Sequence, residues 1–548
     1  MSDSFFNTGL YKIFEPKYKD IVGKPFITVS AKGIANGLSN IPNDGADFGP
    51  DTMQGATSPN QIGPPYSQTI GILEAFNYAG NNGIGRVLLK SGMFNVQTWP
   101  TLTFSNITVK GEGIHQTMIQ ASSPNSNNIT SGNQQNVTFE DLDMIFTNPD
   151  NSGGVAMQMG QSVHNYTFRR IYTTSPGFQV GWVTSNYPLT DLTTSNTNYD
   201  FLFEDCIFDA STNYTTFPNY MTVMGVDMKF IGCTFTTTTN ITSPIISYGL
   251  SRPQIDGPHY FIGCTFNSQY VYLKIQQGYS PIIIGNSFLN NASISTETNA
   301  DYPSNEGPNL GIRIIGNEFE LTQSGTTQNI AIAPNNTVGV GDYGMIITNN
   351  HFVNVSGEIY TNTTTYPGGF FTYGTVTHAL IENNVFENLG NPIMTQQPFS
   401  AAIKNNVFSM TLSQTGTTAG IVYVFPGGTY FIDFSGNIND GYTGVFVNSG
   451  LTSSTGLIHD NVGISFTPTT PAVPASGTAQ ENTNPYPVNV YLYGGTVTEI
   501  QVTKNGTAYT VFSNATGLAL SGQVYKLNPN DSITITYTSA PTWDWLSD

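Results

Sequence analysis

Charge is what this 548-residue sequence has least of: only 10% of its residues are Asp, Glu, Lys or Arg, against roughly 25% in an average soluble protein. The 17 basic residues are outnumbered by 36 acidic ones, for a formal net charge of -19. The basic stripe that nucleic acid requires is therefore missing, and nucleic acid is not an expected partner. Three cysteines exclude a disulfide framework. No run of about 18 apolar residues occurs, so no membrane insertion is expected. Met1 to Asp20 hold no apolar core, and no secretory signal is expected there. The six histidines are scattered singly. Without a Ser/His/Asp set, metal-ligand spacing or a phosphate-binding glycine loop, neither a metal nor another cofactor is expected.

Gly, Asn, Thr, Ser and Tyr fill the space that charge leaves, a composition suited to uncharged polar β-ladders. Thirteen Asn-x-Ser/Thr sequons occur, Asn106, Asn165, Asn213, Asn354 and Asn514 among them, in a chain with 56 asparagines. Chance alone gives roughly 11, so they permit glycosylation without indicating it.

An internal repeat decides the fold. The pattern is apolar, x, Gly or Asn, Cys or Asn, x, Phe. It reads Phe203-Glu-Asp-Cys-Ile-Phe208, Phe230-Ile-Gly-Cys-Thr-Phe235 and Phe261-Ile-Gly-Cys-Thr-Phe266, then Ile283 to Phe288, Ile314 to Phe319, Ile347 to Phe352, Ile381 to Phe386 and Ile403 to Phe408. Weaker copies run from Phe139 to Met144 and from Phe168 to Thr173. Successive copies are 22 to 35 residues apart, which is a bare coil of three short strands with loops of varying length inserted. A solenoid tolerates this because each coil touches only its neighbours. The expected fold is all-β: a right-handed parallel β-helix of about 10–13 coils.

The first and last positions of each copy point inward. The fourth reads Leu142, Ile171, Cys206, Cys233, Cys264, Asn286, Asn317, Asn350, Asn384 and Asn406, which predicts stacked cysteines followed by an asparagine ladder. Stacked amides can bond one another and the turn carbonyls, while inward Cys acts as a small hydrophobe. A disulfide between stacked neighbours is the less favoured alternative, and one Cys per rung cannot surround a metal ion.

Thr69 to Ala79 reads as a short amphipathic capping helix with Thr69 as N-cap, followed by strands from Gly85. Here the chain resembles the pectate-lyase-like β-helix superfamily, which includes phage tailspikes. That family opens with an Asp-Gly-x-Asp-Asp-Thr loop, a capping helix, a strand ending in Pro-Gly-x-Tyr and a Val-x-Gly-x-Gly segment. The corresponding stretches are Asn43-Asp-Gly-Ala-Asp-Phe-Gly-Pro-Asp-Thr52, Lys90-Ser-Gly-Met-Phe94 and Val109-Lys-Gly-Glu-Gly113. The resemblance covers residues 43–465 and implies the fold far more than an activity. It extends to viral tailspike and turret proteins, those of archaeal or thermophile viruses included.

The expected organisation is an N-terminal arm at 1–42, the capped β-helix at 43–466, a Pro/Ala/Thr-rich linker at 467–484 and a small β-sandwich-like domain at 485–548. The arm holds Lys12, Lys17, Lys19, Lys24 and Lys32, which suits either a solvated tail or docking on a neighbouring subunit.

Two places could carry function. Glu140-Asp141, Arg169-Arg170 and Glu204-Asp205 occupy the same repeat positions on successive coils. At about 4.8 Å per rung, Glu140 and Glu204 would lie roughly 9–10 Å apart, the upper edge of inverting glycosidase geometry. The plainer reading is a surface salt-bridge ladder, since an Arg between acids keeps both ionised. The polygalacturonase pattern of Asn-Thr-Asp, Asp-Asp, Gly-His-Gly and Arg-Ile-Lys is absent. The second place is a pair of lateral loops holding Trp182, Tyr187, Tyr199, Tyr214, Phe217 and Tyr220, whose rings could stack on sugars or cover the loops' own core.

Three functions remain open. The first is a virion surface structural protein (spike, turret or tail fibre) attaching to host cell-surface glycan or glycoprotein. It would form a homo-oligomer and meet other virion proteins through the N-terminal arm or the C-terminal domain. The second is a polysaccharide-degrading tailspike enzyme, a glycoside hydrolase or lyase. The third is a cellular adhesin or surface-layer protein. Low charge also leaves little to protonate, so the fold is expected to survive pH 3.

Overall fold

The computed structural model describes residues 26–32, 45–122, 127–146, 157–159, 163–174, 178–180, 199–209, 221–224, 226–237, 245–248, 259–268, 271–276, 280–297, 310–322, 329–335, 341–355, 368–372, 374–395, 399–411, 420–424, 430–442, 446–447, 452, 455–464 and 466–547. The chain forms two compact units, Met1–Asn309 and Leu310–Asp548.

In the first unit the coils stack their strands into parallel sheets, up to three strands per coil. The strand before the repeat's corner runs Ile27–Val29, Arg86–Leu89, Ile107–Lys110 and on through Gln135–Phe146, His164–Thr173, Tyr199–Glu204, Val226–Ile231, Tyr260–Ile262 and Ile282–Ile284, each paired in parallel to the next. The strand after the corner stacks likewise, for example Ile207–Asp209 on Thr234–Thr236 on Thr265–Asn267. A third sheet runs from Asn127–Asn128 to Ser293–Glu297. The second unit repeats the plan from Arg313–Ile315 to Gly456–His459. The fold is thus a parallel β-helix, and coils of L-residues with parallel crossovers wind right-handed.

Period-2 alternation puts the first and last repeat positions inside. Phe168, Phe203, Phe230 and Phe261 stack with centroids 4.6–4.9 Å apart, as do Phe319, Phe352, Phe386 and Phe408 in the second unit at 4.8–5.0 Å. Each buried ring contributes about 1.5–3 kcal/mol relative to exposure. The third repeat position is a left-handed corner in the described coils from Asp141 onward. It is filled by Asp141, Arg170, Asp205, Gly232, Gly263 and Gly285 in the first unit, and by Gly316, Asn349, Asn383, Asn405, Gly436 and Asp460 in the second. Gly, Asn and Asp are the residues that tolerate this conformation, so the recurring Gly/Asn is a backbone requirement.

The capping helix spans Ile72–Asn81 and buries Ile72, Ala75, Phe76 and Ala79. It begins later than Thr69, because Gly71 turns the chain at φ 77°, where a Cβ would sit 2.8 Å from the Gly49 amide. The Thr69 hydroxyl still accepts the Leu73 N–H at 3.2 Å. Ahead of the helix, Asp47 accepts both the backbone N–H and the hydroxyl of Thr28, at 2.9 and 2.8 Å, which ties the entry loop to the first rung.

At the C-terminal end of the second unit, Val488–Lys504 and Thr507–Leu527 pair antiparallel along their length. The first half of Val488–Lys504 also pairs with Thr542–Ser547, and its second half with Ser532–Ser539. The strand bends between the halves at Gly494 and Gly495, both at positive φ. Val490, Leu492 and Trp543 from one half share a core with Ile500, Val502 and Ile535 from the other, so two half-sheets close on one another as in a sandwich. Residues 467–484 lie against this sheet. Pro471 O accepts from Trp543 Nε1 at 2.7 Å, Pro474 O accepts from the Tyr537 hydroxyl at 2.7 Å, and Ala479–Glu481 adds a strand.

Candidate functional site

The acidic and basic repeat positions form two adjoining columns on the first unit. Lys110, Glu140, Arg169 and Glu204 are in register on successive rungs, so the column starts one coil earlier than the repeat copies indicated. Lys110 Nζ lies 3.0 Å from Glu140 and 2.7 Å from Asp141. Arg169 bonds Glu204 through Nε and comes within 3.8 Å of Glu140. In the corner column, Arg170 grips Asp141 with Nε at 2.5 Å and Nη2 at 3.0 Å, and Asp205 acts on the same guanidinium by its charge.

Electrostatics follow from this geometry. Burial works against ionising Asp141, but hydrogen bonds and charge from Arg170 and Lys110 outweigh it and hold the carboxyl below its ordinary value. Burial also opposes the Lys110 ammonium, and its bonds to Asp141 and Glu140 outweigh that and hold it above its ordinary value. A general acid needs a raised carboxyl pKa. Asp141 has the reverse, and Glu140 and Glu204 share Arg169 between them.

A second cluster adjoins the ladder. The loop after Lys110 crosses the corner of the next coil: Gly111 N–H donates to Glu140 O at 2.9 Å and Gly113 N–H to Asp141 O at 3.0 Å. Only glycine fits at 111, since a Cβ would stand 2.2 Å from the Asp141 carbonyl oxygen. The loop lays His115 on Asp143, whose carboxylate takes the His115 backbone N–H and ring Nδ1, each at 2.9 Å. Asp143 is fully buried while the imidazole is 62% exposed. A carboxylate only accepts, so Nδ1 carries a hydrogen, and in that neutral tautomer Nε2 is an acceptor. Tyr172, paired with Asp143 one rung on, stands edge-on to His115 with centroids 4.5 Å apart at 72°. Its hydroxyl donates to Asp209 at 3.2 Å. Burial, then the Asp209 charge, pushes the Tyr172 phenol up to about 12, so it is neutral at ordinary pH.

Sequence reasoning passed over this cluster because His115 and Asp143 are 28 positions apart. The signal was present in the register. Asp143 and Tyr172 both hold the fifth, outward repeat position, and the Val109-Lys-Gly-Glu-Gly113 segment leads straight to His115. Of the aromatic candidates, Trp182, Tyr187, Tyr214, Phe217 and Tyr220 lie outside the described residues, as does the side chain of Tyr199.

The fourth-position residues are brought onto one inner line within each unit. Cys206, Cys233 and Cys264 are buried free thiols. Each donates to a strand carbonyl at 3.3–3.4 Å, those of Phe168, Phe203 and Phe230. Next to them Asn286 accepts the Cys264 N–H at 2.8 Å. In the second unit Asn317, Asn350, Asn384 and Asn406 continue into Asn437 and Asn461, each accepting from the one before. The last two escaped the repeat because Asn439 and Gly463 stand where Phe closes the other copies. Among the described residues no group of three or more His, Cys, Asp or Glu is placed to hold a metal ion, and no helix is long and apolar enough to cross a membrane.

No protein-family model matches the chain, and no curated protein sequence is similar to it. Similar solved structures include the pre-mature gene product 12 of bacteriophage phi29, at 12% identity, 71% of this chain and TM-score 0.49; the chain spans about half, 54%, of that protein. A mutant tailspike protein of E. coli bacteriophage HK620, solved in complex with a pentasaccharide, is similar at 12% identity over 95% of this chain and 93% of that one, with TM-score 0.41. The surface protein and adhesin PfbA of Streptococcus pneumoniae is similar at 12% identity over 72% and 93%, with TM-score 0.31. The parallel β-helix itself is established by this chain's own strand pairing.

Proposed function

We propose that this chain is a virion surface protein of the spike, turret or tail-fibre kind that attaches to host cell-surface glycan and does not cleave it. The observation that carries the choice of binding over hydrolysis is the closed ion-pair ladder. Glu140, Asp141 and Glu204 each face a cation, so none stands as the unpaired carboxyl that a hydrolytic pair requires. A rigid parallel β-helix with so few charged residues suits a ligand whose recognition runs through hydroxyls and ring faces. The N-terminal arm and the C-terminal sheet are assigned to contacts with other virion proteins and with further copies of the chain. For the latter, the 21-residue strand Thr507–Leu527 supports the assignment. Among the described residues it pairs only with Val488–Lys504, and it exposes Tyr509 and Val511, the kind of open edge that invites another chain.

The test is adsorption of the labelled protein to host cells before and after mild periodate treatment, which opens the vicinal diols of surface sugars. Binding lost on oxidation is the expected result. Undiminished binding to oxidised cells would rule out glycan as the receptor.

A further inference from the structure

The corner column sets a baseline. Among the described coils its left-handed position holds Gly, Asn or Asp everywhere except at Arg170, at φ 50°. His115, at φ 62°, is also outside that group, as are Ile70, Ser280 and His378 elsewhere among the described residues. A side chain there crowds its own backbone, and such residues persist where the surroundings hold them for a purpose. Arg170 and His115 are both held by one strand: Asp141 grips Arg170 and Asp143 grips His115, and both acids belong to Gln135–Phe146. These two strained positions, on the coils before and after that strand, are each locked by a carboxylate two residues from the other and form a prepared surface.

We propose that His115 and Tyr172 form a binding subsite for a neutral saccharide beside the Arg170 corner, an inference that rests on the glycan reading above. The His115 ring is fixed before any ligand arrives, because Asp143 is buried beneath it and holds both its backbone and Nδ1. Its Nε2 makes no hydrogen bond among the described residues and accepts a sugar hydroxyl. The edge-on pair of His115 and Tyr172 rings offers apolar surface to sugar C–H groups. Preorganisation of this kind lowers the ordering cost of binding.

Charge decides the ligand class. Lys110, Arg169 and Arg170 are already engaged by carboxylates. With Asp143 and Asp209 added to the ladder's four acids, carboxylates outnumber those cations two to one. A uronate, a sialic acid or a sulfate ester would meet net repulsion, whereas a neutral hexose meets acceptors for its hydroxyls.

The experiment is affinity electrophoresis of the full chain through gels containing dextran, mannan or galactan, and in parallel dextran sulfate or polygalacturonate. His115→Asn removes the imidazole but keeps a residue suited to the left-handed backbone, and Tyr172→Ala removes the second ring. The wild type is expected to be retarded by at least one neutral polymer and by neither acidic one. Both variants should bind about tenfold or more weakly, with circular dichroism showing the β-helix of both intact at the assay temperature. Variants retarded as strongly as the wild type would overturn the subsite and leave the glycan reading standing. Stronger retardation by the acidic polymers would overturn the ligand class, and a wild type retarded by none of the polymers would overturn both.

Discussion

A buried asparagine is tolerable only when its amide is satisfied on both sides, and the ladder in the second unit does this rung by rung. Asn350 sends its backbone N–H and its Nδ2 to Asn384 Oδ1, both at 2.9 Å, and a second Nδ2 hydrogen to the Ile314 carbonyl at 2.9 Å. Replacing Asn384 by Ala strips two donors on Asn350 of their acceptor at a buried site. The expected cost is about 2–4 kcal/mol, read from denaturant unfolding, and a change under about 0.5 kcal/mol would contradict the ladder's role. Cysteine fills the same line in the first unit because its thiol donates to the corresponding carbonyl. Burial pushes the Cys233 thiol well up, so it stays protonated. All three thiols should resist a water-soluble disulfide reagent in the native protein and react on unfolding; reaction of any of them in the native state would show that its coil opens.

At the scale of elements, the coil corner and the loop over it set different demands on glycine. Gly316 sits at φ 63° with open space where a Cβ would go, so Gly316→Ala should cost only the left-handed strain, about 1–2 kcal/mol. Gly111 has an ordinary φ but a Cβ would meet Asp141 O at 2.2 Å and Thr117 Cβ at 2.8 Å. Gly111→Ala must therefore displace the loop, at roughly 1–3 kcal/mol, and loosen His115 from Asp143. Thermal unfolding of both variants, with saccharide retention of the second, checks the pair: Gly316→Ala should retain binding and Gly111→Ala should lose it. The coils were legible in the sequence because apolar, corner and closing positions recur in fixed order. The ladder's last rungs were not, since Asn439 and Gly463 replace the closing Phe. Nor was the start of the capping helix, where a tight approach to Gly49 at Gly71 overrode the local N-cap signal. His115 and Asp143 became neighbours only once register fixed which coil lies on which.

For the whole molecule, scarcity of charge governs its response to acid. Asp141 titrates below its ordinary value of 3.8, so the stability it contributes is fully present above that value and is lost as pH falls through the lower, folded one. Its loss is thus confined to pH below about 4. Circular dichroism should show the β-helix intact at pH 3, and a cooperative transition above pH 4 would contradict this.

The central claim is that the chain holds glycan and leaves it whole. The most direct test incubates the purified protein with host surface polysaccharide and follows retention and release of reducing ends together. Retention with no new reducing ends is the predicted result. Release of reducing ends that disappears in Glu140→Gln or Glu204→Gln would make the ladder a catalytic device and contradict the account.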